Sequence, residues 1–234
     1  ADHDRIFGFE LSSPFDVSTC SFSDNQTSGL DSDALQNGSN AGDITALGDD
    51  KVTLQGFDIS KDGTKLFAIF HSVLSGSPNT RLLEYTMSTA FDLTTISLVT
   101  SGGIELEDET QNPNGLVFSP DGTRLWTLDH QNNSADVTQI SLNVAYSTSS
   151  FTIDGTVNIL NLNGTNSFKQ ARGIAFSTSG LKMYIGTDQD NPGDGGGNHV
   201  NEIDLICPFN IVLFDRVNLF ISFAYNLSTK SKPS

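Results

Sequence analysis

Gly115-Leu116-Val117-Phe118-Ser119-Pro120-Asp121-Gly122-Thr123-Arg124-Leu125-Trp126-Thr127-Leu128 reads as a β-hairpin. A short apolar strand ends at Ser119. A second apolar strand starts after Gly122. Asp-Gly between apolar runs is a strong hairpin signal, because Gly accepts positive φ and Asp bonds nearby backbone. Two further stretches align with this one. They are Gly56-Phe57-Asp58-Ile59-Ser60-Lys61-Asp62-Gly63-Thr64-Lys65-Leu66-Phe67-Ala68-Ile69 and Gly173-Ile174-Ala175-Phe176-Ser177-Thr178-Ser179-Gly180-Leu181-Lys182-Met183-Tyr184-Ile185-Gly186. The lead glycines are spaced by 59 and 58 residues. The third copy keeps the turn glycine and replaces Asp by Ser179.

A second element follows each hairpin. It runs Leu83 to Leu93, Thr138 to Ser147, and Asn201 to Ile211, and the N-terminus supplies a fourth copy from Phe7 to Val17. The pairs Tyr85/Met87, Ile140/Leu142, Ile203/Leu205 and Phe9/Leu11 alternate with period two. That is the signature of a strand with one face buried. Each unit therefore holds roughly four strands, the content of a propeller blade. The expected architecture is all-β: a single β-propeller domain over residues 1–234, with about four blades of roughly 58 residues. The divisions are a partial blade 1–55, blades 56–114, 115–172 and 173–211, and an irregular tail 212–234. At this length the unit exceeds the ~40–50 residues usual for propeller repeats. The excess falls in Asp24 to Asp50, Ser101 to Asn112 and Gly155 to Gln170.

Phe118-Ser119-Pro120-Asp121-Gly122-Thr123-Arg124-Leu125-Trp126 resembles the Phe-Ser-Pro-Asp-Gly motif of TolB-type, WD-like propeller repeats. YVTN-type propellers of surface and secreted proteins are similar. The resemblance spans Gly56 to Ile211. It implies a blade hairpin and an extracytoplasmic binding or scaffold role more often than catalysis. A minority of related propellers are lactonases or other hydrolases.

The first copy starts mid-blade. Phe214 to Phe223 echoes Lys61 to Phe70. One reading has this tail supply the missing strands of the N-terminal blade, closing the ring by pairing of the chain ends. The other has the chain as a fragment, or as a subunit whose open edges pair between chains. Cys20 and Cys207 are the two cysteines. They fall in units that ring closure would make adjacent, so a disulfide clasp and two unpaired thiols are both readings of them.

The 234 residues include 28 Asp and Glu against 12 Lys and Arg, a net charge of −16. Such a surface repels phosphate backbones, which excludes nucleic acid as an expected partner. The sequence has no apolar run of the ~18 residues a membrane helix requires. Sequons begin at Asn25, Asn37, Asn132, Asn163 and Asn226, and no apolar signal region follows Ala1 to Arg5.

The loop Asp188-Gln189-Asp190-Asn191-Pro192-Gly193-Asp194-Gly195-Gly196-Gly197-Asn198-His199 gathers oxygen donors on Gly-rich backbone. Ca²⁺ takes about six to eight oxygens, so Asp188, Asp190 and Asp194 are candidate calcium ligands, the other reading being a plain exposed loop. Gly103 to Glu109 concentrates four acids and reads as a solvated connection. His71 and His130 occupy equivalent points of their units, with His199 in the corresponding region of the third. Three histidines on one face suit a transition metal, and incidental loop histidines are the plainer reading. No P-loop, HExxH, CxxC or G-x-S-x-G is present. Asp62 and Asp121 read as turn chemistry, and Phe57, Phe67, Phe91, Phe118, Phe151, Phe176 and Phe209 as core between blades.

The functional expectation is a non-enzymatic binding or structural module. It acts outside the cytoplasm, in the periplasm or on a cell or virion surface, and presents loops to a protein or glycan. Two alternatives stand beside it: a propeller hydrolase or lactonase with an axial cation, and a subunit of a surface or viral assembly.

Overall fold

The computed structural model describes residues 5–6, 10–21, 30–31, 52–74, 77–99, 103–106, 112–131, 134–159, 171–187 and 199–212. These residues form an all-β chain of antiparallel sheets. The N-terminal part carries β1 (Arg5–Ile6), β2 (Glu10–Leu11), β3 (Cys20–Ser21) and β4 (Leu30–Asp31), paired β1 to β4 and β2 to β3. The first large sheet holds β5 (Val52–Ile59), β6 (Lys65–Leu74), β7 (Ser77–Met87), β8 (Ile96–Leu98) and β9 (Ile104–Glu105). There β8 and β9 pair with successive stretches of β7. The second is β10 (Pro113–Phe118), β11 (Arg124–Gln131), β12 (Ser134–Leu142) and β13 (Phe151–Asn158). The third is β14 (Ala171–Phe176), β15 (Lys182–Thr187) and β16 (His199–Asp204).

Each sheet starts a few residues before the lead glycine of its repeat. The register slips between Leu54 and Gly56, between Pro113 and Gly115, and between Ala171 and Gly173. A β-bulge thus precedes the same glycine three times. Two of these glycines stand where neighbouring sheets approach each other. A Cβ on Gly56 would lie 3.5 Å from the Gly115 Cα, and one on Gly115 would lie 3.3 Å from Ile174. The first strands β5, β10 and β14 accordingly pack in series, with β10 between the other two.

The sheets stack face to face, and the central strands are buried on both faces. Leu66, Ala68 and Phe70 of β6 join Ile6, Leu83, Tyr85 and Met87. The alternate residues Phe67 and Ile69 join Leu116, Phe118, Leu125 and Ile140 of the second sheet. In β11, Leu125 faces back while Trp126 and Leu128 face forward to Ala171, Met183, Ile185 and Ile203. The third strands, expected to bury one face, bury both in β7 and β12: Leu82 and Leu83 join different cores, as do Val137 and Ile140. Burying an aromatic or branched side chain of this size stabilises by about 1.5–3 kcal/mol. The aromatic expectation also divides. Phe67 and Trp126 are fully buried, whereas Phe57, Phe91 and Phe151 are exposed.

The hairpin turns are built as read. Ser60 Oγ donates to Asp62 Oδ1 at 2.6 Å, and the Thr64 N–H and hydroxyl donate to the same oxygen at 3.0 and 2.8 Å. Ser119, Asp121 and Thr123 repeat the arrangement. Gly63, Gly122 and Gly180 have φ between 68° and 72°. Over each turn sits an aromatic residue whose own φ is also positive: Phe91 (61°), Tyr146 (52°) and Phe209 (51°). Its N–H donates to the turn glycine's carbonyl at 2.8 Å in all three units. The ring lies flat against the glycine, so that a Cβ on Gly122 would stand 2.2 Å from the Tyr146 ring.

Gly122→Ala is therefore expected to cost roughly 2–4 kcal/mol, from left-handed backbone strain plus overpacking against the ring. Urea unfolding of Gly122→Ala, Tyr146→Ala and the double variant measures it. The double variant should lose less than the sum of the singles, because removing the ring relieves the clash.

Candidate functional site

The stacked sheets have two different ends. At one end lie the hairpin turns and the aromatic loops that cover them. At the other, β6 and β11 finish near His71 and His130.

The turn end is built from a repeated polar and aromatic set. The residue two places after each turn glycine is a cation: Lys65, Arg124 or Lys182. Lys65 Nζ donates to Tyr146 O of the next sheet at 2.6 Å, and Arg124 Nη1 donates to Phe209 O of the next at 2.8 Å. Lys182 instead pairs with Glu202 and, at 3.0 Å, with Asp204 in its own sheet. Glu84 closes a second bridge. It is buried, pairs with Lys65 at 2.6 Å, and accepts the Thr148 N–H at 2.7 Å and its hydroxyl at 3.0 Å. A buried carboxylate is tolerable only when its charge and lone pairs are met in this way.

Two aromatic triads continue the contact between sheets. Phe67 and Phe118 lie 4.5 Å apart, with Tyr146 at 5.3 Å from Phe118. Trp126 and Phe176 lie 4.2 Å apart, with Phe209 at 5.8 Å from Phe176. Beyond this interlock the same end exposes apolar side chains. Phe15 is 100% exposed, Phe91 62%, Val144 58% and Ile206 57%. Asp62, exposed beside them, is held down to about 2 by the Ser60 hydroxyl first and by the Thr64 amide and hydroxyl. The surface is thus apolar side chains set among carboxylates ionised throughout the physiological range.

The far end is polar and partly buried. Asp129 is almost wholly buried and accepts the Asn112 N–H at 3.0 Å. His71 shares a hydrogen bond with the Thr80 hydroxyl at 3.3 Å. Burial lowers the His71 pKa, partly offset by the Asp129 charge. Burial lowers His130 too, with Arg172 adding to the effect and Asp129 opposing it. Thr127 Oγ1 and His130 Nδ1 have no hydrogen-bond partner among the described residues. Both imidazoles thus lie in the field of one buried acid, and burial favours their neutral form.

Among the described residues, the first strands β5, β10 and β14 carry one carboxylate, Asp58. Its two oxygens accept the Ile59 N–H at 2.8 Å and the Phe118 N–H of the next sheet at 2.9 Å. Burial raises its pKa against those two bonds. Asp58 joins the first strands of two sheets and is not presented to a ligand.

The residues singled out from the sequence fall as follows. Asp188, Asp190 and Asp194 lie outside the described residues. Cys207 is a free, half-buried thiol, and the Cys20 side chain lies outside the described set. His71 and His130 do share a register position, while the His199 side chain is not described. Among the described residues no three His, Cys, Asp or Glu groups come together as a metal site. The acidic stretch after Gly103 is corrected in part: Ile104 and Leu106 are buried, and Glu105 pairs with Arg81 across β7 and β9. The set missed in the sequence is the left-handed aromatic and the bridging cation. The signal was there, as Phe15-Asp16, Phe91-Asp92, Tyr146-Ser147 and Phe209-Asn210, and as Gly-Xaa-Lys/Arg.

No family model matches the chain, and no curated protein matches it. Among solved structures, a putative 6-phosphogluconolactonase from Bacteroides uniformis is similar at a TM-score of 0.41 and 17% identity. The match covers 64% of this chain and 41% of that one. No helix among the described residues is long and apolar enough to cross a membrane.

The histidines give a pH dependence. Their folded pKa values lie below the usual 6.5, so the unfolded chain binds more protons on acidification. The stability contribution is complete above pH 6.5 and is lost as pH falls below it. Thermal melts at pH 7.5 and 5.0 should show a drop that His71→Gln or His130→Gln makes smaller. An equal drop in both variants would place the acid sensitivity elsewhere.

Proposed function

We propose that this chain is a non-enzymatic β-propeller module of about four blades, acting outside the cytoplasm and presenting its turn-end loops to a protein or glycan partner. The serial packing of β5, β10 and β14 supports the propeller reading, since a blade's first strand lies nearest the axis. The observation that carries the binding role is the exposed apolar side chains of the turn end, Val144, Ile206 and Phe91 above all. Exposed apolar clusters with a polar surround mark interaction surfaces. Aromatic residues presented in this way suit both protein contacts and sugar faces.

The alternative of a hydrolase or lactonase with an axial cation draws less support. Asp58 is the acid of the inner strands, and both its oxygens are already engaged by backbone donors. A calcium ion at Asp188, Asp190 and Asp194 belongs to the module reading as a loop-ordering element.

Surface plasmon resonance over an immobilised glycan panel tests the binding role. Val144→Asp and Ile206→Asp should each weaken captured binding about tenfold while leaving the melting temperature unchanged. Hydrolysis of sugar lactones above the uncatalysed rate, abolished by chelator, would instead establish the enzyme. For the ion, calorimetric titration with CaCl₂ should give heat that Asp190→Asn removes; a silent titration takes calcium out of the proposal.

A further inference from the structure

The turn end of the three large sheets is an ordered row of loops and turns. The Gly63 turn lies under the Phe91 ring, and Lys65, two residues on, donates to Tyr146 O of the next sheet. The Gly122 turn lies under the Tyr146 ring, and Arg124 donates to Phe209 O of the sheet after it. The Gly180 turn lies under Phe209. Aromatic loops and hairpin turns therefore alternate across this end. First comes the loop of Phe91, then the turn of Asp62, the loop of Val144, the turn of Asp121, the loop of Ile206 and the turn of Leu181.

The chemistry alternates with them. Each loop exposes an apolar side chain, since Phe91, Val144 and Ile206 are all more than half exposed. The first two turns each present a carboxylate. Asp62 accepts from Ser60 and Thr64, and Asp121 accepts from the Ser119 hydroxyl at 2.6 Å and from the Thr123 amide and hydroxyl at 3.0 and 2.8 Å. Hydroxyls and amides hold these carboxylates in place but do not neutralise them. The strand cations beside them are turned to other acceptors: Lys65 to Glu84 and a carbonyl, Arg124 to a carbonyl, and Lys182 to Glu202 and Asp204. Lys61 is an exposed cation of the row. Tyr146, set between the two acidic turns, feels both. Its pKa is raised, by burial first, with the charges of Asp58, Asp121 and Asp62 adding to it. The third turn changes character. Ser179-Gly180-Leu181 stands where Asp62-Gly63-Thr64 and Asp121-Gly122-Thr123 stand, and Leu181 is 42% exposed. The row thus runs from mixed acid and apolar groups to an apolar end at Ile206 and Leu181.

A wholly apolar partner fits this row badly, because covering Asp62 or Asp121 strips water from an ionised group and returns nothing. A neutral sugar face meets the apolar loops alone. A partner that brings cations to the turns and apolar groups to the loops satisfies both. We propose that the turn end docks a polypeptide segment in which Lys or Arg residues are interspersed with apolar ones. Its cations pair with Asp62 and Asp121, and its apolar side chains cover Val144, Ile206 and Leu181. The chain's net charge of −16 draws such a segment in from solution. This inference rests on the binding-module reading and names the partner of the same surface.

Fluorescence anisotropy with the full chain tests it. The probe is a labelled peptide of Lys and Leu in equal number, with one counterpart carrying Glu for Lys and another carrying Ser for Leu. The Lys/Leu peptide should bind saturably, and each counterpart about tenfold more weakly. Asp62→Asn and Asp121→Asn should each weaken binding about fivefold. Asn keeps the turn's side-chain acceptor, so the melting temperature should hold. Glu105→Gln removes an exposed carboxylate from β9 and should change binding by less than about twofold. No binding, an equal loss with Glu105→Gln, or full binding of the Ser counterpart overturns the proposal, the last two because bulk charge alone would then account for the attraction. Glycan capture that depends on Val144 and Ile206 while the Lys/Leu peptide stays unbound keeps the module reading and overturns this partner.

Discussion

The seating of a left-handed aromatic on a left-handed glycine is the contact on which the rest of this chain depends. Neither backbone is favourable alone. A bulky residue at positive φ costs on the order of 1–2 kcal/mol, and the glycine carries its own entropic cost. Together they bring the N–H of Phe91, Tyr146 or Phe209 to 2.8 Å from the glycine carbonyl and cover the turn with a ring. That fixes the third strand of each unit against its hairpin at one register. It also turns the aromatic's own carbonyl outward, where Lys65 or Arg124 of the preceding sheet can reach it. A local conformational oddity is thus converted into a joint between sheets.

The polar residues of the interior follow from that joint. Glu84 is buried because Lys65 must be held where it can reach Tyr146, and its second oxygen is then met by Thr148 of the next loop. Asp58 plays the corresponding part between first strands, where it accepts Phe118 N–H across the gap between sheets. Removing one partner from such a set would leave an unmet buried charge, which costs several kcal/mol. The apolar core supplies most of the stabilisation, while these few charges set how one sheet is turned against the next.

The sequence showed the hairpins plainly, because Asp-Gly chemistry is local and the apolar runs beside it are periodic. Period alone also placed the third strands at Tyr85/Met87 and Ile140/Leu142. Burial on both faces was not legible from those pairs, because it is set by the neighbouring sheet and not by the strand's own alternation. Phe91 shows the limit from the other side. It matches Tyr146 and Phe209 in sequence position and backbone, yet is more exposed, and the rings beside Tyr146 and Phe209 are Phe67 and Trp126 of other hairpins. The bridging cations were visible as a repeat but not as a function, since nothing local says that Lys65 ends on a carbonyl 81 residues away.

A joint of this kind has a direction. Each hairpin completes the aromatic of its own unit and then caps the carbonyl of the next, so contacts pass forward along the stack, as in other repeat arrays where neighbours supply each other's core. In the third sheet the corresponding cation, Lys182, pairs with Glu202 and Asp204 in its own sheet. Here the loop at Phe15 keeps the same Asp-capped hydrogen bonds as the seated copy at Phe91. The loop conformation is thus set by its own Asp cap and does not depend on the ring above it being buried.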